Sequence, residues 1–319
     1  MDIKFPKFKH QLAAVLLLLP VLLTAQTNLT DSVLIFSFFK GNGEDGLHLA
    51  YSRDAQHWIP LKNDQSLLAP AVAKDKLMRD PCITRGGDGY FHMVWTVSWN
   101  DKGIGYARSK DLINWSEQVF LPVMQHEPGV LNTWAPEVFY DAESMQYLIY
   151  WSSTIPGRFP KTDSQGDEKY NHRIYYTLTK DFKTFTPTGL LYDQGFNVID
   201  ASIYKTGNQY TMLLKDETLK PIPQKNIRIA VSQKLTGPYS AASEPISGKT
   251  WAEGPTMVHH LGYWWLYYDQ YSTHRYACQR SADLKNWENL SHQLVFPTGA
   301  RHGTVIKISA AEFKILEQF

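Results

Sequence analysis

Three acids in this 319-residue chain open apolar runs, where a solvated side chain would need no such setting: Asp80 in "MRDPCI", Asp200 in "VIDASI" and Glu253 in "AEGPTM". Two further segments of the same build begin with Trp134 and Glu137 ("TWAPEVF") and with Arg301 and His302 ("RHGTV"), and Arg79 directly precedes Asp80. Carboxyls buried together are costly unless they are paired or shifted in pKa. A group of them can do two proton jobs at once. One carboxylic acid protonates a leaving oxygen, while one carboxylate activates water from the opposite face of a sugar. A third negative charge helps the acid keep its proton near neutrality. The residues therefore suit hydrolysis of a glycosidic bond, with the arginines and His302 available to hold hydroxyls or balance charge.

Distant residues can cooperate only if the fold gathers them. The chain contains a repeat that does so. "LHLAYSRDAQHW", "IGYARSKDLINW", "RIYYTLTKDFKTF" and "YACQRSADLKNW" carry Ser/Thr, Asp and an aromatic at offsets 0, 2 and 6: Ser52/Asp54/Trp58, Ser109/Asp111/Trp115, Thr179/Asp181/Phe185 and Ser281/Asp283/Trp287. A fifth copy, "IRIAVSQKLTGPY", degenerates to Ser232 and Pro238-Tyr239. Each copy starts with the alternation of a half-buried strand and follows an apolar run such as "YFHMVWTV" or "YWWLYYDQY". Four of those runs are preceded by the acid- or Trp-bearing segments. The unit is four antiparallel strands, and its length of roughly 50–65 residues is that of a propeller blade.

The first unit lacks its opening strand, and "RHGTVIKI" (301–308) near the chain end supplies one. The fold expected is all-β: a five-bladed β-propeller whose first blade is completed by the C-terminal strand. Closure leaves few exposed edges. A β-sandwich would not explain the periodic inner strands. In a propeller those strands line the axis, so their first residues share one funnel. The repeat acids Asp54, Asp111, Asp181 and Asp283 are assigned to turns, and Trp58, Trp115 and Trp287 to packing between blades. Lys215 and Asp216 in "LLKDE" are candidates for the funnel rim. The polar loop 156–171 is expected to overhang one face.

Bulk properties narrow the class. Lys4, Lys7 and Lys9 precede the apolar run Leu12–Leu23 and then Thr24-Ala25, which reads as a cleaved signal peptide over residues 1–25. A 12-residue run is too short to span a bilayer, which takes roughly 20 residues. Cleavage after Ala25 moves the formal charge from +1 to about −1. Nothing in that balance suggests nucleic acid or a membrane surface as partner. Cys82 and Cys278 are too few for a disulfide scaffold, and no Cys/His cluster has zinc spacing.

Taken in order, "DPCI", "WAPEVFYD", "IDASI", "EGPTMV" and "RHGTV" resemble glycoside hydrolase family 43, over about residues 32–310. The resemblance implies one propeller catalytic domain across that span, acting with inversion on arabinose, xylose or galactose units. It implies that Asp80 is the general base, Asp200 the acid that orients and tunes the proton donor, and Glu253 the general acid. It also implies that Trp134 forms part of the substrate floor and that His302 lies near the axis, facing a calcium ion directly or through water. No cofactor is needed for the chemistry. Family members more often show Asp where Glu137 stands. It is grouped with Arg79, Trp134, Arg301 and His302 as a substrate-contact candidate. The function implied is an exported, exo-acting α-L-arabinofuranosidase working as a monomer on oligosaccharide or polysaccharide side chains of plant type. A β-xylosidase or β-galactosidase of the same fold, or a propeller that binds sugar without cleaving it, are the alternatives. The Asn-Asp-Pro-Asn motif of invertase-type propellers is absent.

Overall fold

Apolar residues on both faces of a strand bury only if a neighbour covers each face. The chain meets that requirement by closing on itself. A computed structural model describes residues 1–3 and 32–319, so most of the leader-like segment 1–25 lies outside the described residues. The first blade contains β1 (Ser32–Phe39), β2 (His48–Ser52) and β3 (Ile59–Pro60). The second contains β4 (Arg79–Arg85), β5 (Phe91–Thr96), β6 (Ile104–Ser109) and β7 (Val119–Leu121). The third is β8 (Trp134–Asp141), β9 (Gln146–Ser153), β10 (Arg173–Thr179) and β11 (Gly189–Tyr192). The fourth is β12 (Val198–Thr206), β13 (Gln209–Asp216) and β14 (Asn226–Ser232), and the fifth is β15 (Glu253–His260), β16 (Tyr263–Gln270), β17 (Arg275–Ser281) and β18 (Glu288–Asn289). Finally β19 (Arg301–Ser309) returns to pair antiparallel with β1, from Ser32↔Ser309 to Phe39↔Arg301, giving the order β19-β1-β2-β3. The first blade is thus completed by the C-terminal strand. The fourth has three strands, in keeping with its degenerate repeat.

The packing follows the period of two. On β1, Val33 and Ile35 join Ile83, Met93 and Trp95 of the second blade, while Leu34 and Phe36 join Trp265 and Tyr267 of the fifth. On β9, Tyr147 and Ile149 face the second blade and Leu148 and Tyr150 the fourth. Leu213 and Ile227 pack with Met257 and Leu266 to close the circle. Adjacent residues serve different interfaces, so a one-residue slip in any strand would exchange both faces.

The repeat aspartates sit in turns. Asp54 accepts backbone N–H bonds from Gln56 (2.9 Å) and His57 (2.8 Å); Asp111, Asp181 and Asp283 repeat the pattern. Trp58 is buried among first- and fifth-blade residues. Among the described residues one α-helix, α1 (Ala310–Glu317), lies outside the all-strand expectation. Ser309 and Glu312 form a reciprocal capping box at its start, and Phe313 and Leu316 pack into the interface of the first two blades. Both cysteines are buried and free.

Candidate active site

All five inner strands are distorted where they begin. Register breaks fall between Arg79 and Cys82, Trp134 and Glu137, Ile199 and Ser202, and Glu253 and Thr256, and opposite Arg301–Thr304 on β1. The second residue of four of these bulges is left-handed: Asp80 (φ 52°), Ala135 (46°), Asp200 (53°) and Gly254 (56°). Such backbone is strained for a residue with a side chain, and a bulge there re-aims that side chain. At Gly254 the reason for glycine is also steric, since a Cβ would lie 2.5 Å from the His302 ring.

Equivalent bulge positions therefore hold Asp80, Ala135, Asp200, Gly254 and His302, and the positions just before them hold Arg79, Trp134, Ile199, Glu253 and Arg301. Asp80, Asp200 and Glu253, from three different blades, line one cavity of about 260 Å³ together with Arg79, Trp134, Arg301 and His302. Thr96 donates to one Asp80 oxygen (2.7 Å), and His302 Nδ1 stands 3.5 Å from the other and 3.9 Å from Asp200 Oδ2. Gly254 N–H donates to Asp200 Oδ2 at 3.0 Å. Burial pushes the Asp200 carboxyl up to about 6, against the pull of His302 and Lys215 and with help from Glu253 and Asp80. Burial lowers the proton affinity of His302, but the carboxylates of Asp200, Asp80, Glu137 and Glu253 outweigh it and hold the ring above the usual histidine range.

Glu253 differs from the sequence expectation that neighbouring acids keep it protonated. Burial pushes its carboxyl up, but Lys215, Arg301 and His302 outweigh burial and hold it below the usual range. Lys215 Nζ is 3.1 Å from one Glu253 oxygen and Arg301 Nη2 is 3.0 Å from the other. These contacts belong to a longer alternation of charge. Lys225 pairs with Glu217, Glu217 with Lys215 (2.6 Å), Lys215 with Glu253, Glu253 with Arg301, and Arg301 Nε with Asp269 (2.6 Å). Lys215, of the "LLKDE" segment, thus reaches the site, whereas Asp216 turns away to Arg228 (3.2 Å).

An aromatic wall flanks the acids. Trp134 and Trp99 meet edge to face, centroids 5.4 Å apart, and Trp134 Nε1 donates to the Trp99 carbonyl (2.9 Å). The Arg79 guanidinium lies over Trp99 at 4.3 Å and donates to Asn42 Oδ1 (3.1 Å). Tyr170, at the end of the loop 156–171, packs on Trp134 at 4.7 Å. Buried Arg173 ties that loop down, donating to Thr162 (2.8 Å) and Asn171 (3.0 Å) and covering Phe159.

Glu137 is set apart. It lies two residues beyond the bulge position that Ala135 occupies, and lines a separate cavity of about 330 Å³ with Cys82 and Thr304. The Cys82 thiol donates to one of its oxygens (3.1 Å) and Thr304 to the other (3.4 Å). Burial pushes this carboxyl up to about 7, although His302, Cys82 and Thr304 favour its charge.

Sequence reasoning missed Thr96, Trp99, Glu217, Lys225 and Asp269. Two of these carried a signal. Lys215 and Glu217 stand two apart at the end of a strand, hence on one face, and Asp269 is a lone acid in an apolar run.

Comparison with known proteins agrees with this architecture. The sequence profile of a family described as a probable glycosyl hydrolase domain, related to glycoside hydrolase family 43, matches residues 32–314. An α-L-arabinofuranosidase of Bifidobacterium longum subsp. longum is 27% identical over 195 residues, covering 52% of this chain and 18% of that protein. The match therefore spans under a fifth of that relative's length. A thermostable family-43 glycoside hydrolase superposes with a TM-score of 0.55 at 18% identity, over 73% of this chain and 80% of that one. The family-43 protein BlXynB of Bacillus licheniformis gives 0.55 at 12% identity, over 84% and 54%. Identities this low speak for the shared fold alone.

Proposed function

The chain belongs to the family-43-related group of glycosyl hydrolase domains, and on that premise we propose an inverting, exo-acting glycosidase, with α-L-arabinofuranosides as first substrate. The observation that carries this reading is the convergence of Asp80, Asp200 and Glu253 from three blades on one small cavity. Its volume of about 260 Å³ lies under the ~300–1,000 Å³ of ordinary ligand pockets. It suits one terminal sugar rather than a polymer segment. The named arabinofuranosidase relative favours arabinose among the family's sugars.

In the proposed reaction Asp80 accepts a proton from water as the water oxygen bonds to the anomeric carbon. Glu253 gives a proton to the glycosidic oxygen as the bond from that oxygen to the carbon breaks. Thr96 fixes the base by one oxygen. Asp200 is held by Gly254 N–H and shares its field with Glu253. The two carboxyls titrate as a linked pair, burial favouring the proton on Asp200 and the cations Lys215, Arg301 and His302 opposing it on Glu253. The acid step needs it on Glu253 when the leaving oxygen arrives. Trp134 and Trp99 offer ring surface to the sugar, and Arg79 offers donors at the rim.

An axial calcium does not fit these residues as direct ligands. Calcium takes six to eight oxygens. His302 offers a nitrogen already turned to two carboxylates, and among the described residues no group of three or more His, Cys, Asp or Glu is disposed to hold an ion. Export goes with this reading, supported by the leader-like residues 1–25.

A panel of nitrophenyl glycosides (arabinofuranoside, xyloside, galactoside, galactofuranoside) tests the substrate, and proton NMR of the first-formed anomer tests inversion. The arabinofuranoside should be cleaved fastest with the anomer inverted, and Glu253→Gln should lower kcat/KM on a poor leaving group by about 10²–10⁴. Full activity in that variant overturns the mechanism; sugar binding without turnover by the unaltered protein would make it a binding propeller.

A further inference from the structure

Glu253 is held at both oxygens by cations, and one of those cations is itself held in place. Lys215 is 3% exposed, on β13, and its ammonium lies between Glu253 (3.1 Å) and Glu217 (2.6 Å) over the ring of Tyr271. Glu217 turns its other oxygen to Lys225, 4% exposed, just before β14. A buried ammonium with two carboxylates and an aromatic face has one place to sit. Arg301, the second cation on Glu253, is tied in the same way by Asp269 (2.6 Å).

We propose that Lys215, pinned by Glu217 and Lys225, is a positioning residue for Glu253: it fixes the carboxyl by one oxygen and sets the pH up to which that carboxyl keeps its proton. The proposal rests on Glu253 being the proton donor. Charge faces Glu253 from each neighbouring element: Lys215 on β13, Asp200 on β12, Arg301 and His302 on β19, Asp269 on β16, and Tyr271 just beyond it. Asp80 of β4 shares the cavity. Of these, Lys215 and Arg301 touch the carboxyl. Both also line the cavity proposed for the sugar, but the Arg301 side chain is 30% exposed and that of Lys215 4%, so Lys215 is the contact less open to substrate.

The alkaline limb of kcat/KM reads the proton on the acid. Removing a cation lets Glu253 keep its proton to higher pH, so Lys215→Met should move that limb up by about one pH unit. Removing an anion acts the other way: Glu217→Gln leaves the Lys215 charge aimed at Glu253 alone and should move the limb down. Lys215→Arg should restore a limb close to that of the unaltered enzyme. Lys225→Gln, further from the carboxyl, should move it up by a fraction of a unit and serves where the closer variants do not fold. Opposite shifts for Lys215→Met and Glu217→Gln support the proposal, as does the Lys225→Gln shift alone. Limbs that superimpose on the parent profile, or that move in one direction for both close variants, overturn it. Glu253→Gln run in parallel separates the two readings. Full activity there removes the donor assignment itself, whereas an inactive Glu253→Gln with unmoved limbs removes only the role of Lys215.

Discussion

Two rings of side chains line the same axis two residues apart, and they differ in what they are left free to do. The upper ring holds Asp80, Ala135, Asp200, Gly254 and His302; the lower holds Cys82, Glu137, Ser202, Thr256 and Thr304. Lower-ring polar atoms are spent on their neighbours. Ser202 donates to the Pro255 carbonyl (2.7 Å), Thr256 accepts from Val305 N–H (3.0 Å), and Cys82 and Thr304 both donate to Glu137. In the upper ring, strained backbone turns the carboxyls of Asp80 and Asp200 toward a cavity that a ligand can enter. One ring closes the seams between blades. The other stores cost where a ligand can use it.

The largest effect expected from this contrast is on Asp80. Asp80→Asn keeps the side chain's shape and the contact with Thr96 but removes the proposed base, so kcat/KM should fall by about 10²–10⁴ with an unchanged circular dichroism spectrum. Retained activity would mean that the upper ring is structural like the lower.

Asp200 comes next, because there activity and stability should move in opposite directions. Its folded-state carboxyl, at about 6, lies above the ordinary aspartate value of 3.8, so the folded protein binds the proton more tightly. Stability from this group is fully present below pH ~4 and is lost as pH rises through about 6. Asp200→Asn should therefore lose activity and yet melt several °C higher than the parent at pH 7.5, at roughly 2–4 °C per kcal/mol for a domain of this size. Scanning calorimetry at pH 4 and pH 7.5 checks it; the gain should shrink at the lower pH.

Much of this arrangement is legible in the sequence, and the parts that are not share a cause. The repeat is readable because its turns are local: Asp54, Asp111, Asp181 and Asp283 each satisfy N–H groups two and three residues on, so residue type and offset are tied. The three acids are readable because an acid before an apolar run is itself unusual. Glu137 groups with them in the sequence because counting from the start of a strand does not reveal a bulge. Once the bulge is known, Ala135 takes the acid's position and Glu137 drops one step deeper. Lys215 stands out in the sequence without a role, since Glu253, the partner that gives it one, is brought to it by another blade. Helix α1 is the exception, because Ser309 and Glu312 at capping-box spacing are a local signal for it.

Glu137 gives the smallest expected change in activity and the finest test of the difference between the rings. Its carboxyl, at about 7, lies above the ordinary glutamate value of 4.5. Below pH ~4.5 it is protonated in the folded and the unfolded chain alike, and glutamine then matches it in shape and polarity. Stability that depends on its bound proton is lost as pH rises through about 7, whereas a glutamine side chain carries no such dependence. Glu137→Gln should therefore melt with the parent at pH 4 and several °C above it at pH 8.5, while kcat/KM stays within about threefold because the side chain opens on the far cavity. A loss of activity as deep as that of Asp80→Asn would show that the lower ring also serves the reaction, and that the boundary between the rings is drawn one residue pair too high.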